Sequence, residues 1–155
     1  MAARGSHPLR RYVDSGLSMI VGTVDAEGYP AACRAIAATA NDDFSIVTVY
    51  VPVDYGQETI ANVATTRRVA IVMTHPIDHG SVQFKGTTRG VRLARESEGD
   101  LVRKRLDEFA DILDQIGLPR RITRSITHWP AFAIEIDVEQ IFDQTPGPKA
   151  GQAIS

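Results

Sequence analysis

The octapeptide TVDAEGYP at residues 23–30 decides how this chain folds. An apolar run at residues 17–24 ends inside it, and a second run of small apolar residues begins as it closes. Asp25 can bond its side chain back to the backbone, and Gly28 can adopt the positive φ that a tight reversal requires. Pro30 suits the first position of a returning strand, where no ladder hydrogen bond is lost. The octapeptide therefore predicts a β-hairpin near the start of the chain.

Later segments show the two-residue periodicity of β-strands. Residues 44–51 are apolar on both faces, as in a closed barrel, and Pro52 ends them. Residues 69–73 form a continuous apolar run, and residues 132–139 alternate apolar with acidic side chains. The strand at residues 82–93 changes parity between Gly86 and Gly90, so we expect a glycine-containing bulge there, of the kind that bends strands at barrel corners.

Two segments have helical periodicity instead. Residues 57–64 predict a short helix, and residues 98–116 predict a long one that Gly117 and Pro119 end. Five apolar side chains of the long helix share one stripe: Val102, Leu106, Phe109, Leu113 and Ile116. The tail beyond Phe142 is rich in glycine and proline, and we expect it to lie outside any sheet.

Composition narrows the class of protein. The chain has 155 residues, 43% of them hydrophobic and 23% charged, which is typical of one globular domain. Its net charge of −2 provides no global attraction to nucleic acid or to an anionic membrane. The single cysteine, Cys33, cannot form an internal disulfide, so we expect a cytoplasmic protein. No apolar run approaches the roughly 20 residues of a membrane span.

The order of elements predicts a mainly β (α+β) fold with about six strands, a small barrel carrying one short and one long helix. We place this domain at residues 12–142, between an N-terminal extension at residues 1–11 and the tail at residues 143–155. Strands do not alternate with helices and no G-x-G-x-x-G is present, which argues against a dinucleotide-binding βαβ fold.

The octapeptide and the order of elements resemble the pyridoxamine-phosphate-oxidase-like, FMN-binding split barrels. Their opening hairpin is often written T-x-D-x-x-G-x-P. Residues 68–73, RVAIVM, and residues 83–86, QFKG, are similar to two later strands of that family. The resemblance covers residues 12–142 and implies a six-stranded split β-barrel that binds FMN between the subunits of a homodimer, with a small molecule as substrate.

The resemblance also implies site residues. Arg34 matches a basic position that reaches the flavin phosphate or ring edge, and Val49 and Tyr50 match a strand that borders the flavin ring. Gln57 and Thr59 stand where the short helix begins, where free N–H groups and the helix dipole favour a phosphate. The alternative for Arg34 is a charge at the barrel rim whose side chain extends to water.

Further positions are implied on later strands and on the partner. Gln83 and Lys85 match the strand that places a polar or basic side chain over the cofactor, although a solvated outer sheet face would look the same. Trp129 or Lys149 of the partner subunit could contribute to the site as well. No side chain stands out as a catalytic acid or base, so the sequence does not assign catalytic residues.

One departure from the family pattern concerns the phosphate. Many members have a Ser/Thr and a Lys just before the short helix, whereas this chain has Asp54 and Glu58 and no base there. These carboxylates would repel a phosphate, so deazaflavin F420 or haem could occupy the same cleft instead of FMN. Two further alternatives are a non-catalytic flavin-storing protein and a structural dimer. His75 and His79 flank Pro76 and do not suffice for a metal site.

Overall fold

The computed structural model describes residues 7–154 and contains one antiparallel sheet. Its eight strands, in chain order, are β1 (Ser18–Val24), β2 (Pro30–Ala35), β3 (Ala37–Ala40), β4 (Ile46–Pro52), β5 (Arg68–Thr74), β6 (Ser81–Leu93), β7 (Ala131–Asp143) and β8 (Gln152–Ala153). The spatial order is β2-β1-β5-β6-β7-β4-β3, with β8 added beside β7. Because β2 runs almost directly into β3, this order brings the two ends of the sheet together as a barrel.

Within residues 7–154 four α-helices accompany the sheet: α1 (Arg10–Val13), α2 (Gln57–Thr65), α3 (Gly99–Gln115) and α4 (Arg120–Arg124). A short 3-10 helix (Glu96–Glu98) leads into α3. The short and the long helix predicted from periodicity are α2 and α3. None of the helices within residues 7–154 is long and apolar enough to span a membrane.

The predicted hairpin is confirmed. Asp25 accepts hydrogen bonds at Oδ1 from the N–H groups of Glu27 and Tyr29, at 3.0 and 2.8 Å. Gly28 has a φ of 92°, a region that costs glycine little. The turn sets the register of β1 against β2, with Val24 opposite Pro30.

The barrel interior is a single apolar core. Its largest fully buried side chains include Phe44, Phe84, Met19, Ile71 and Met73. On β1 every second residue points into this core, whereas Ile20 and Gly22 point outward. Alternation of this kind gives each barrel strand one buried and one outer face.

A second, smaller core lies outside the barrel, where α3 packs on the sheet. Val102 and Leu106 of α3 are buried against Tyr50 and Ala133. The predicted apolar stripe is therefore correct in its first half, but Ile116 at its end is 55% exposed. Gly16 allows the closest approach, because a side chain there would meet the α3 backbone at Arg105 and Phe109.

The glycine-containing bulge is confirmed. The register between β6 and β7 shifts between Lys85 and Gly86 and again between Thr88 and Gly90. A side chain at Gly86 would enter the backbone of Asp137 on β7. The bulge therefore needs glycine because the two strands approach closely at this point.

Three expectations about the strands are wrong in detail. The sheet has eight strands rather than six, since residues 30–40 divide at Ile36 and the tail adds one more. Phe44 does not start β4 but adopts a φ of 60° in the preceding turn while its ring enters the core. The tail does join the sheet, because Gly147 and Gly151 adopt positive φ and return the chain to pair β8 with β7.

Candidate functional site

The outer face of the sheet is shallow and open across five strands. The strand registers place one row of outward positions side by side: Ala32, Gly22, Ala70, Lys85 and Gln140. The first three of these residues have little or no side chain. They therefore form a flat floor with a long cationic side chain beside it.

This floor belongs to a cleft of about 730 Å³, which we call the outer cleft. It is lined by Gly22, Thr23, Val24, Pro30, Ala31, Ala32, Arg68, Val69, Ala70, Lys85, Gly86, Thr87, Glu139 and Gln140. Its volume is within the range of small-molecule sites, roughly 300–1,000 Å³.

Two cations and one anion line the outer cleft. Arg68 and Lys85 are exposed, and neither forms an ion pair with a carboxylate in the described part of the chain. The Lys85 ammonium lies 5.0 Å from the centre of the Phe142 ring, a cation–π contact at the cleft margin. Glu139 supplies the single carboxylate of the lining. The charge balance of the outer cleft thus favours an anionic ligand.

Arg34 lies on the same face of the sheet but outside the outer cleft. It is three strands from Lys85, about 14 Å across the sheet at the usual strand spacing. Its guanidinium is 5.6 Å from the centre of the Phe109 ring on α3. One of its nitrogens, Nη1, is buried with no hydrogen-bond partner among residues 7–154. A buried N–H without a partner is unfavourable, so this position suits an acceptor from outside the chain.

The start of α2 lies near Arg34. Burial raises the pKa of the Tyr55 hydroxyl, and the nearby positive charge of Arg34 partly opposes this rise. The same hydroxyl donates a hydrogen bond to the carbonyl of Thr127 at 2.9 Å. Gln57 is exposed and donates to the carbonyl of Val53. Thr59 is 1% exposed and its hydroxyl lies 3.0 Å from the Cys33 sulfur.

Cys33 is therefore partly buried and packs against the barrel core. Burial raises the pKa of its thiol, and the hydrogen bond with Thr59 only partly offsets this. The side chain of Thr59 is occupied by this contact, so any phosphate at the start of α2 would meet backbone N–H groups rather than the Thr59 hydroxyl.

Tyr50 forms part of a charged network beneath the start of α3. Its hydroxyl donates to Glu98 at 2.9 Å, and both Glu98 oxygens accept hydrogen bonds from Arg92 at 2.7 Å. Burial raises the pKa of Tyr50 to about 12, whereas the Arg92 guanidinium lowers the pKa of Glu98 to about 2. The network fixes the start of α3 on the sheet, since Glu98 immediately precedes that helix.

The remaining predicted residues are dispersed. Val49 is fully buried inside the barrel. Gln83 points outward next to the outer cleft, where its oxygen accepts a hydrogen bond from Gln144 at 3.0 Å. The ring of Trp129 lies against Gly99 at the start of α3. Lys149 is exposed in the returning tail.

One chain thus separates the predicted site residues into two groups. Arg34, Gln57 and Thr59 lie around the start of α2, while Lys85, with Gln83 beside it, lies at the outer cleft. Arg68 also lines the cleft, although it is not among the site residues that the resemblance implies. Its position on β5 carries a usable signal, because it shares the outward parity of Ala70 and is paired with Thr87 on β6.

A second cavity, of about 370 Å³, lies between the start of β4 and β8. Its lining contains Phe44 and Ile154 together with the carboxylates of Asp43 and Glu139, and no Lys or Arg. It is therefore poorly suited to an anionic ligand.

The lining residues also allow a test of the cofactors implied by the resemblance. A flavin or deazaflavin needs a flat surface and donors for its phosphate, which the floor, Arg68 and Lys85 can supply. Haem iron in proteins is held by His, Cys, Met or Tyr side chains, and none of these residue types lines the outer cleft. The outer cleft fits a flavin-type ligand better than haem.

The architecture is the split barrel of the pyridoxamine-phosphate-oxidase-like proteins. HupZ from Group A Streptococcus is 21% identical, with a TM-score of 0.56 over 92% of this chain and 96% of its own. An F420 reductase is 11% identical, with a TM-score of 0.53 over 87% of this chain and 96% of its own. An FMN-binding protein from Syntrophomonas wolfei is 10% identical, with a TM-score of 0.52 over 86% of each chain.

At these identities the similarity establishes the fold alone. No protein-family model and no curated protein sequence matches the chain.

Proposed function

We propose that this protein binds a flavin, FMN in the first instance, in the outer cleft. The single observation that carries the proposal is the combination of a flat floor with two cations that lack carboxylate partners. A planar ring can lie on Gly22, Ala32 and Ala70, since no side chain rises from this part of the sheet beyond a methyl group. The FMN-binding and F420-reducing proteins of the same fold support a ligand of this kind.

Arg68 and Lys85 would hold the anionic part of the ligand. Charge-assisted hydrogen bonds to phosphate are stronger than neutral ones, and a guanidinium can engage phosphate with two parallel N–H donors. The carboxylate of Glu139 would repel an anion at its own end of the cleft. We therefore place the phosphate toward Arg68 and the ring over the small residues.

We further propose that the functional unit is a homodimer. Within one chain Arg34 lies two residues along β2 from Ala32 of the cleft floor, whereas Gln57 and Thr59 at the start of α2 are not among the residues that line the outer cleft. A second copy could bring its α2 start and its Arg34 to the cleft of the first copy. The unpartnered Nη1 of Arg34 would then find an acceptor outside its own chain.

Bound FMN would supply electron transfer, and the protein would bind, orient and shield it. The lining contains no His, Cys or Tyr that could serve as a proton donor to a substrate. The leading activity is therefore that of an oxidoreductase that acts on a small molecule, with the chemistry carried by the cofactor. A non-catalytic flavin-storing protein is the alternative, distinguished by tight binding without turnover of reduced nicotinamide and an electron acceptor.

Deazaflavin F420 is the second candidate ligand. Its side chain is also anionic, so Arg68 and Lys85 would serve it in the same way. Asp54 and Glu58 are exposed near the start of α2 and do not line the outer cleft. Within one chain their carboxylates therefore do not discriminate between FMN and F420.

The test is a fluorescence titration of the apo-protein with FMN. Arg68→Gln and Lys85→Gln should each weaken binding by about tenfold or more, as expected from loss of a charge-assisted hydrogen bond. Lys104→Gln is the matched control, because Lys104 is exposed on α3 and outside the cleft. Equal affinity for all four proteins would show that the outer cleft does not hold the phosphate. F420 and haem titrated in parallel identify the preferred ligand.

A further inference from the structure

The sheet is interrupted on the side of β7 that faces away from β6. β4 follows β7 as far as the hydrogen bond from the N–H of Val138 to the carbonyl of Ser45, at 2.8 Å. β8 begins on the same side with the hydrogen bond from the N–H of Ile154 to the carbonyl of Ile141, also at 2.8 Å. Residues 139–140 therefore have no strand of the described chain beside them on this side. The cavity of about 370 Å³ lies at this interruption, and we call it the gap cavity.

A bulge directs two neighbouring side chains of β7 to the gap cavity. The pairing of β7 with β6 passes from Val138 directly to Gln140, so Glu139 is the extra residue of the bulge. Successive side chains of a regular strand lie on opposite faces, and a bulge breaks this alternation. Glu139 and Gln140 accordingly line both the gap cavity and the outer cleft.

The gap cavity combines apolar walls with hydrogen-bond acceptors. Its lining consists of Asp43, Phe44, Ser45, Val138, Glu139, Gln140, Ile141, Ala153 and Ile154. Ser45 donates to Oδ1 of Asp43 from its hydroxyl at 2.6 Å and from its N–H at 3.0 Å. These hydrogen bonds orient the Asp43 carboxylate and lower its pKa, so it is ionised at neutral pH. A carboxylate has about four acceptor sites, which leaves Asp43 able to accept from a ligand.

Glu139 is the second carboxylate of the gap cavity. It is exposed, and it forms no ion pair and no side-chain hydrogen bond within residues 7–154. Asp43 likewise has no ion pair in the described part of the chain. The lining therefore carries two negative charges with no cation from the same chain to balance them.

The cations on the surrounding elements are engaged elsewhere. Arg10 donates to the carbonyl of Asn41 at 2.7 Å. The Lys85 ammonium lies 5.0 Å from the centre of the Phe142 ring and lines the outer cleft rather than the gap cavity. Lys149 is exposed in the turn before β8 and is not part of the lining. A counter-ion for the two carboxylates would thus have to come from outside the chain.

The chemistry of the lining selects the kind of cation. No group of three or more His, Cys, Asp or Glu side chains that could hold a metal ion occurs within residues 7–154. A primary ammonium group has three N–H donors and no acceptor, so two carboxylates and the amide oxygen of Gln140 can accept all three. The walls formed by Val138, Ile141 and Ile154 suit a hydrocarbon body. The volume is within the range of small-molecule sites.

We propose that the gap cavity binds a small organic cation, a primary ammonium group on an apolar body. The ammonium would lie between Asp43 and Glu139, and the apolar body would lie against Ile141 and Ile154. The site is separate from the floor of the outer cleft and requires no flavin. It gives the interruption of the sheet and the bulge at Glu139 a common role, which is to present a carboxylate to a ligand.

One consequence of this site rests on the proposed flavin function. Glu139 is the single carboxylate in the lining of the outer cleft, where it repels an anion. A cation bound in the gap cavity would neutralise it and so raise the affinity of the outer cleft for FMN. Because coupling between two sites is reciprocal, FMN would raise the affinity for the cation by the same factor.

The test is a titration of ¹⁵N-labelled protein with 2-phenylethylamine at neutral pH, in the absence of flavin. The amine should move the amide signals of Ser45, Gln140 and Ile154. 2-Phenylethanol is the neutral control of similar shape and should bind at least tenfold more weakly, since it cannot form charge-assisted hydrogen bonds. Phenylacetate is the anionic control and should leave these signals in place.

Two variants remove one charge each and keep the shape of the side chain. Asp43→Asn and Glu139→Gln should each weaken binding of the amine at least tenfold. Glu27→Gln is the matched control, because Glu27 is exposed on the β1–β2 turn and lines neither cavity. Circular dichroism establishes that each variant is folded, and the two carboxylates give independent readings of the same site.

Three results would overturn the proposal. The first is equal affinity for 2-phenylethylamine and 2-phenylethanol, and the second is unchanged amine binding in both Asp43→Asn and Glu139→Gln. The third is movement of the same amide signals by magnesium chloride but not by the amine, since the cavity would then select an inorganic cation. The coupling is measured afterwards: 2-phenylethylamine should tighten FMN binding severalfold in the wild type and not in Glu139→Gln. Since the amine titration contains no flavin, its failure is distinguishable from failure of the FMN titration.

Discussion

Two glycines line the outer cleft, and substitutions at them should have opposite consequences. At Gly22 the first atom that an added Cβ would meet is the carbonyl oxygen of Ala70, 4.0 Å away, so a side chain there projects freely into the cleft. At Gly86 an added Cβ would enter the backbone of Asp137, which cannot rotate aside. The pair therefore separates occupation of the cleft from damage to the fold.

Gly22→Leu should leave the fold intact and abolish flavin binding. A glycine inside a strand is destabilising by roughly 0.5–1 kcal/mol relative to alanine, so the variant should be as stable as the wild type or slightly more stable. Its side chain would stand on the floor where the ring is proposed to lie. We expect FMN affinity to fall at least tenfold, which is about 1.4 kcal/mol.

Gly86→Ala should destabilise the protein by about 3 kcal/mol, the upper range for overpacking, because two strand backbones must separate at the bulge. Urea denaturation measures both stabilities, and fluorescence titration measures FMN affinity. Undiminished FMN binding by a folded Gly22→Leu variant would refute the placement of the ring. A Gly86→Ala variant with the wild-type denaturation midpoint would refute the close approach of β6 and β7.

Two further predictions concern stability. The lowered pKa of Glu98 means that its stabilisation is complete above the pKa of an unfolded glutamate, roughly 4.3, and is lost as the pH falls toward 2. Between pH 6 and pH 2.5 the free energy of unfolding of the wild type should therefore fall by about 2 kcal/mol more than that of Glu98→Gln, allowing for partial exposure of Glu98. Urea denaturation measures both, and the same pH dependence in the two proteins would contradict this prediction. Phe109 is only 7% exposed and packs beside Arg34, so Phe109→Ala should lower the free energy of unfolding by about 3 kcal/mol. An unchanged denaturation midpoint would show that the Phe109 ring is not part of the core.

Local patterns were sufficient to predict the hairpin, the bulge and both main helices, because turn residues and periodicity act over a few positions. The fate of the tail was not predictable in this way. Its glycines were interpreted as signs of irregular chain, whereas at positive φ they direct β8 back to β7. The division of β2 from β3 at Ile36 was likewise invisible, since small residues continue on both sides of it.

The site was predicted less completely than the fold. Lys85 was placed correctly on an outward strand position, but the flat floor formed by Gly22, Ala32 and Ala70 arises only when three strands take their registers. Arg34 was assigned to the flavin, and the structure turns it toward Phe109 because α3 packs beside that end of the sheet. A single sequence does not specify which acceptor meets the unpartnered Nη1 of Arg34.

The most direct measurement is a titration of ¹⁵N-labelled protein with FMN, followed by the amide chemical shifts. We predict that the largest changes fall on Gly22, Ala32, Ala70 and Gly86, with a further set near the start of α2, which the proposed partner subunit would bring to the cleft. Shifts confined to the cavity around Asp43 and Ile154, or no shifts at millimolar FMN, would contradict a flavin site in the outer cleft.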